Sequence, residues 1–288
     1  MDGVLLLDKP AGMTSNSALQ AARRLFSAAK AGHTGTLDPL ATGLLPLCFG
    51  EATKFSADLL EADKTYEADL LFGVTTDTGD ADGAILKRHP VEFDHKDLEA
   101  LLPRFRGLIR QIPPMYSALK RDGRPLYELA RQGIEVERAA REVTIHELKL
   151  LYFIEDRCRL RVSCSKGTYI RTLAEDIGAL LTCGAHLTAL RRTSVGSLGV
   201  SAAVTLEELQ RFSEDERKAC LLPPDALLQS LPAVHLDDEA AARFMHGNAV
   251  QAIAANGRCR VYGNGSASLL GLAEADAGLV HPRRLISA

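Results

Sequence analysis

The chain has 288 residues, of which 46% are hydrophobic and 25% charged, with a formal net charge of -3 at pH 7. That length allows one large domain and a small one, and the balance is ordinary for a soluble globular protein. The N-terminal apolar run Val4 to Leu7 is too short for a signal peptide or a membrane span, so a cytoplasmic location is expected.

The six cysteines (Cys48, Cys158, Cys164, Cys183, Cys220 and Cys259) are scattered, with no C-x-x-C pair and no histidine at zinc spacing. Reduced thiols and no metal site are expected. Neither a Walker-type loop nor G-x-G-x-x-G occurs, so no cofactor is expected. Charge is unevenly spread: residues 51–100 carry thirteen acidic and five basic side chains, 104–141 nine basic and four acidic, and 157–192 seven basic and two acidic. If the two basic segments share a face, they can track a phosphate backbone despite the negative total. A generic solvated surface reads the same way.

In chain order, residues 3–15 predict a buried strand and a Lys-Pro turn, with Thr14 or Ser15 capping a helix. Ala18, Leu19, Ala22, Leu25, Phe26 and Ala29 recur at helical spacing, opposite Arg23, Arg24 and Lys30. The stretch GHTGTLDPLATGLLPLCFG follows, with Gly32, Gly35, Gly43 and Gly50 around a single carboxylate, Asp38, and Gly12 able to fold against it. Pro39 pushes Asp38 out of the helical region, which predicts a stiff loop presenting the side chain. By itself an Asp-Pro turn is ordinary loop chemistry.

Glu51 to Leu60 is expected to be helical. Lys64 to Val74 then alternates as a strand, with Tyr66, Ala68, Leu70 and Phe72 on one face. TTDTGDADG lacks the ligand spacing of a calcium loop and reads as a plain acidic turn. Asp94 caps a helix to Phe105, and QIPPMYSALK opens a basic excursion with a short helix between Pro125 and Gly133. Val143–Ile154 and Cys158–Cys164 pair as strands. Thr172 and Glu175 suggest a capping box for the next helix; in the following CGAHLTALRRTSVG, Leu190 reads as a helical leucine, and Arg191 and Arg192 could reach phosphates. Thr205 to Phe212 is another capped helix. The acidic, proline-containing segment 201–241 marks a boundary, beyond which come a helix ending at Gly247, a strand at Arg258–Tyr262, a turn at Gly263–Gly265 and one strand through LLGLAEADAGLVHPRRLI.

Five motifs in this order, LDKPAGMTS, GHTGTLDPLATG, KTYEA, QIPPMYSALK and KGTYIRTLAED, resemble those of the TruB-type tRNA pseudouridine synthases. The resemblance covers nearly the whole chain. It implies an α+β fold: a pseudouridine-synthase core with a mixed, largely antiparallel central sheet flanked by helices, and a small PUA-like C-terminal β domain. The implied domains are 1–230, with a thumb-like insertion at about 112–141 that clamps RNA, and 231–288. The implied activity is isomerisation of the T-loop uridine at tRNA position 55.

Carried over residue by residue, the resemblance makes Asp38 the nucleophile and Arg171 its pairing cation. Tyr66 stacks on the base, while Tyr169 and Leu190 line the pocket. His33 fits into the folded T-loop, and Lys9 and Pro10 support the catalytic loop. The implied partner is the tRNA T-arm stem-loop, with no protein partner, no membrane and a monomeric state. Two other readings use the same residues: a guide-RNA-dependent relative acting on ribosomal RNA, and an RNA-binding folding chaperone. An aspartyl phosphatase is excluded, because it needs a second Asp two residues on and position 40 is Leu.

Overall fold

The computed structural model describes residues 1–263, 265 and 268–287. Its frame is one mixed sheet. The longest path runs Val204–Thr205, Gly3–Lys9, Thr42–Phe49, Ala185–Val195, Lys64–Phe72, Arg157–Cys164, Arg141–Ile154 and Gly107–Gln111. Gly3–Lys9 lies inside this path and carries apolar side chains to both faces, which is why its sequence is a continuous apolar run. Arg157–Cys164 instead alternates, burying Cys158, Leu160, Val162 and Cys164 and turning its arginines outward. All path pairings are antiparallel except those of Gly3–Lys9 with Val204–Thr205 and of Ala185–Val195 with Thr42–Phe49.

Helices Ser15–Leu25 and Ile170–Leu180 cover one face, burying Ala18, Leu19, Ala22, Leu173 and Ile177 against Leu5, Leu45, Leu70 and Leu160. The other face carries a second cluster, in which Val4, Leu6, Leu44 and Phe55 meet Leu227, Leu228, Tyr262 and Leu269. That cluster seats the C-terminal five-stranded sheet, ordered Ala233–Leu236, Gly257–Gly263, Leu269–Asp276, Leu279–Leu285 and Val250–Gln251, on the main body. The Tyr262 hydroxyl donates to Asp225 Oδ2 at 2.7 Å, and Lys54 Nζ to the Leu285 carbonyl at 3.0 Å, across the same contact.

Several sequence expectations change. CGAHLTALRRTSVG is a strand from Ala185, not a helix: nine register pairs with Lys64–Phe72 override any helical preference. The predicted Thr172–Glu175 box does not form, because the helix begins three residues earlier with Tyr169 as its cap residue, leaving the Thr172 hydroxyl buried without a partner. Glu51–Leu60 divides into a 3-10 turn, Gly50–Phe55, and a short α-helix, Ser56–Leu60. The last long strand is a hairpin, folded at Ala277 (φ 48°) and Gly278 (φ 80°), the pair of positive φ angles that a tight two-residue turn demands. Of the expected turn at Gly263–Gly265, Asn264 lies outside the described residues. The caps at Asp94 and Thr205 form as expected, and Asp97 and Glu208 complete each into a capping box.

Candidate active site

Asp38 is held in place by its neighbours in sequence. Ser15 Oγ donates to the Leu37 carbonyl at 3.0 Å and accepts from Leu37 N at 2.8 Å. On the other side, the Pro39 carbonyl accepts from Gly12 N at 2.8 Å and from Lys9 Nζ at 3.4 Å. The Lys9 ammonium is fully buried and also donates to the carbonyls of Pro10 (2.8 Å) and Met13 (2.6 Å). Residues 9–15 therefore grip the peptides on both sides of Asp38. Thr14 alone caps the helix, accepting from Ser17 N at 3.0 Å, which frees Ser15 for this grip. Burial lowers the Lys9 pKa to about 8, with the Asp38 charge opposing and the Arg192 charge adding to the drop.

The Asp38 carboxylate meets Arg171, whose Nε donates to Asp38 Oδ2 at 3.0 Å. The guanidinium is buried, and its remaining edges donate to the carbonyls of Thr78 (2.9 Å) and Tyr116 (2.7 Å). A second carboxylate, Asp80, stands 3.7 Å from the same Nε. Thr78 Oγ1 in turn donates to Asp80 Oδ1 at 2.5 Å. Arg171 thus ties together three segments: the Asp38 loop, the 76–83 turn and the root of the insertion. Charge-assisted bonds of this kind fix geometry as well as energy. Desolvation raises the Asp38 carboxyl above its ordinary 3.8; the Arg171 charge pulls it back and Asp80 adds to the rise.

Asp38, Tyr66, Tyr169, Arg171 and Leu190 all line one cavity of about 270 Å³. Tyr66 projects from Lys64–Phe72 and Leu190 from the neighbouring Ala185–Val195. Tyr169 is fixed through its backbone by the buried Gln111 side chain, which accepts from Tyr169 N at 3.1 Å and donates to its carbonyl at 3.2 Å. Lys64 donates to the Leu60 (2.7 Å) and Ala62 (2.5 Å) carbonyls, which closes the turn ahead of the Tyr66 strand.

His33 lies on the short strand Ala31–His33, paired with Leu47, beside the cavity rather than in its wall. Its Nδ1 is buried without a partner, and burial, helped by the Arg192 charge, lowers its pKa below 6.5. Lys9 and Pro10 stand behind the loop. Arg191 and Arg192 are not free for phosphate: Arg191 makes a two-pronged bond to Asp8 (3.0 and 2.6 Å), and Arg192 is buried. Gly12 folds against the loop as expected, whereas the Ser15 grip, Gln111, the Tyr116 carbonyl and Asp80 are the contributions that sequence reasoning missed. Only Asp80 left a sequence trace, as one carboxylate in an acidic turn that the sequence reads as a plain loop.

Three family models match in succession. Residues 23–170 match the TruB family pseudouridylate synthase N-terminal domain, 171–229 the tRNA pseudouridylate synthase B C-terminal domain, and 232–286 the pseudouridine synthase II TruB C-terminal model. The chain belongs to the TruB family. Among curated TruB relatives, tRNA pseudouridine synthase B of Dechloromonas aromatica is 62% identical over 99% of this chain and 96% of its own length. The protein of the same name from Azoarcus sp. is 57% identical over 100% of this chain and 95% of its own. The TruB fold also matches a crystal structure of a Cbf5-Nop10-Gar1 complex, with TM-score 0.76 and 26% identity over 98% of this chain and 84% of that one. A structure of an H/ACA RNP bound to substrate RNA containing 2′-deoxyuridine matches with TM-score 0.75 at 23% identity, covering 99% of this chain and 85% of that one, and speaks to the fold alone.

Proposed function

We propose that this TruB-family chain is an isomerase that converts the T-loop uridine at position 55 of tRNA into pseudouridine, with Asp38 as the nucleophile. The observation that carries the reading is the Asp38–Arg171 pair at 3.0 Å, set in a cavity walled by Tyr66, Tyr169 and Leu190. The reaction breaks the N-glycosidic bond of a uridine, turns the uracil and rejoins it through carbon. The detached base must be kept from water, which a small enclosing cavity supports; here Leu37, Leu60, Ile170 and Leu190 stand among the polar side chains that would orient the base. The uridine must first leave its stack, as in other enzymes that act on a base.

In this reading the Asp38 carboxylate attacks without an auxiliary base, since Arg171 balances its charge and orients it. Tyr66 stacks on the uracil, Tyr169 packs against the uracil or its sugar, Leu190 lines the pocket, and Tyr66 accepts the proton that leaves C5. His33, whose buried Nδ1 has no partner in the protein, fits beside the unpaired bases of the T-loop. Residues 1–230 form the catalytic domain, 112–141 the clamp on the tRNA stem-loop, and 231–288 a PUA-like RNA-binding domain. The protein acts as a monomer. The tRNA reading is favoured over a guide-RNA-dependent one by the high identity of curated tRNA enzymes along almost the whole chain.

The test uses unmodified tRNA transcript, wild type and Asp38→Asn, with pseudouridine scored by chemical labelling. The variant is expected to bind tRNA and form no product. An active Asp38→Asn would remove the nucleophile from this account, and an inactive wild type would remove the substrate.

A further inference from the structure

The cavity wall contains a cation that the reading above leaves without a task. Arg192 is 1% exposed, and its Nε donates to the Leu44 carbonyl at 2.7 Å. Its Nη2 is enclosed and has no hydrogen-bond partner. Among the described residues no carboxylate lies within ion-pair distance of it, whereas Arg171 has two. Stripping water from a guanidinium without a counter-charge costs several kcal/mol, and an uncharged side chain of similar volume fills such a place at less expense. Positive charge held there at that expense points to use.

The neighbour it serves is fixed by the sheet. Arg192 stands directly opposite Tyr66 in the antiparallel pairing of Ala185–Val195 with Lys64–Phe72. Directly opposed residues put their side chains on the same face at close quarters, and both side chains line the cavity. Arg192 also reaches under the catalytic loop, where a Cβ placed on Gly35 would lie 3.6 Å from Nη1.

We infer that Arg192 is a positioning residue for the reaction: its guanidinium stabilises the phenolate of Tyr66, the form that takes the proton from C5 of the rotated uracil. The inference rests on the reading of Tyr66 as that acceptor. When C5 bonds to C1′ the bond from Asp38 to the nucleoside breaks and the carboxylate is released. The C5–H bond then breaks, its electron pair forms C5=C6, the C6=N1 pair moves to N1, and N1 takes up a proton from water. The proton passes to the Tyr66 oxygen, and the phenol returns it to water. A tyrosine can do this near neutral pH only beside a cation, because its ordinary ionisation lies near 10. Burial pushes Tyr66 higher still, and the Arg192 charge pulls the other way.

The other charged or titratable groups acting on Tyr66 do not replace it. Asp38, from the loop, opposes the phenolate, as does the Cys164 thiol from the adjoining strand. Lys64, on Tyr66's own strand, spends its ammonium on two carbonyls. A direct phosphate contact by Arg192 is disfavoured, since the unpartnered Nη2 is closed to solvent.

The experiment measures single-turnover release of the C5 hydrogen from tRNA labelled at C5 of uridine, across pH, for wild type, Arg192→Gln and Arg192→Lys. Arg192→Gln should slow release about 10²-fold near pH 7, recover as pH rises, and leave tRNA affinity unchanged. Arg192→Lys should lie between the two. Replacing Tyr66 by 3-fluorotyrosine, whose phenol is more acidic, should restore much of the rate in whichever Arg192 variant folds. A loss uniform across pH, or no response to fluorotyrosine, would overturn the inference. Failure of the parent reading is seen separately, as an active Asp38→Asn or a fully active Tyr66→Phe in the presence of intact Arg192.

Discussion

Asp38 and Arg171 meet at 3.0 Å although 133 residues separate them in the chain. The side chain of Arg171 is 5% exposed while that of Asp38 is 39% exposed, so a fixed, buried cation holds an anion that still faces the cavity. Geometry and charge balance therefore depend on the arginine, and in the proposed reaction attack depends on the carboxylate. Arg171→Met removes three donors at once and leaves Asp80 as a buried carboxylate without its cation. The expected loss is about 3 kcal/mol of folding stability, with pseudouridine formation abolished at temperatures where the variant is still folded. Arg171→Lys cannot reach Asp38, Thr78 and Tyr116 together, so it should recover stability in part and activity hardly at all. Chemical denaturation and product assay on the same preparations check both; an active, stable Arg171→Met would contradict the arrangement.

The direction of the Asp38 shift makes a pH prediction. The carboxyl titrates above 3.8 in the fold, chiefly through desolvation, so activity that requires the anion should fall on acidification with a midpoint above that value. The effect on stability has the opposite sense. A group whose pKa is raised in the fold contributes stability that is complete below its unfolded value and is lost as pH rises through the folded one. Asp38→Asn has no such group, so its melting temperature should gain on wild type between about pH 4 and pH 7. Parallel melting curves across that range would show that the carboxyl is not desolvated as described.

The cations available to RNA are fewer than the basic segments suggest. In 157–192 four of the seven cations are engaged or buried, Arg159 on Asp69 (2.6 and 2.7 Å), Arg191 on Asp8, Arg171 on Asp38 and Arg192 in the interior, which leaves Arg157, Arg161 and Lys166 exposed, the last paired with Glu61. The larger group of exposed cations is then in the insertion, Lys120, Arg121, Arg124 and Arg141, and the phosphate-facing charge is expected to come mainly from there. Affinity for tRNA should fall as salt rises, through release of counterions, and neutralising Lys120 or Arg124 should flatten the slope of log affinity against log salt by about 1 each. The same substitution at Arg191 should leave the slope unchanged. Filter binding at a series of ionic strengths decides it; a slope insensitive to the insertion would place the RNA elsewhere.

How far the sequence revealed this arrangement depends on the range of each interaction. The Arg157–Cys164 alternation and the Asp94 and Thr205 caps are local patterns, and the structure reproduces them. The motif resemblance also brought Asp38, Tyr66, Tyr169, Arg171 and Leu190 together, and they share one cavity. What escaped depends on contacts distant in sequence. The strand Ala185–Val195 is decided by its partners rather than by its own residues. The Ser15 clamp on Leu37 and the Gln111 clamp on Tyr169 use ordinary polar side chains whose partners lie 22 and 58 residues away. Asp80 was hidden because a carboxylate in an acidic turn looks like any other until the fold turns it toward a buried arginine.

The sheet junction under the site gives a prediction that involves no catalytic group. Thr42–Phe49 and Ala185–Val195 touch through only two parallel register pairs, Arg191 with Thr42 and Arg192 with Gly43. Gly43 has φ of +98°, and a Cβ there would come 2.3 Å from the Arg192 carbonyl oxygen and 2.9 Å from its nitrogen. Both the backbone conformation and the space therefore require glycine. Because the obstructing atoms are backbone, relief means separating the strands that carry the Asp38 loop on one side and Leu190 with Arg192 on the other. Gly43→Ala should cost about 3 kcal/mol and reduce activity beyond what its folded fraction accounts for. Gly12→Ala is the matched control, since a Cβ at that glycine, with φ of +74°, meets nothing within 4 Å. It should cost about 1 kcal/mol from backbone strain alone. Equal melting temperatures for the two variants would show that the close strand approach at Gly43 is not what fixes the junction.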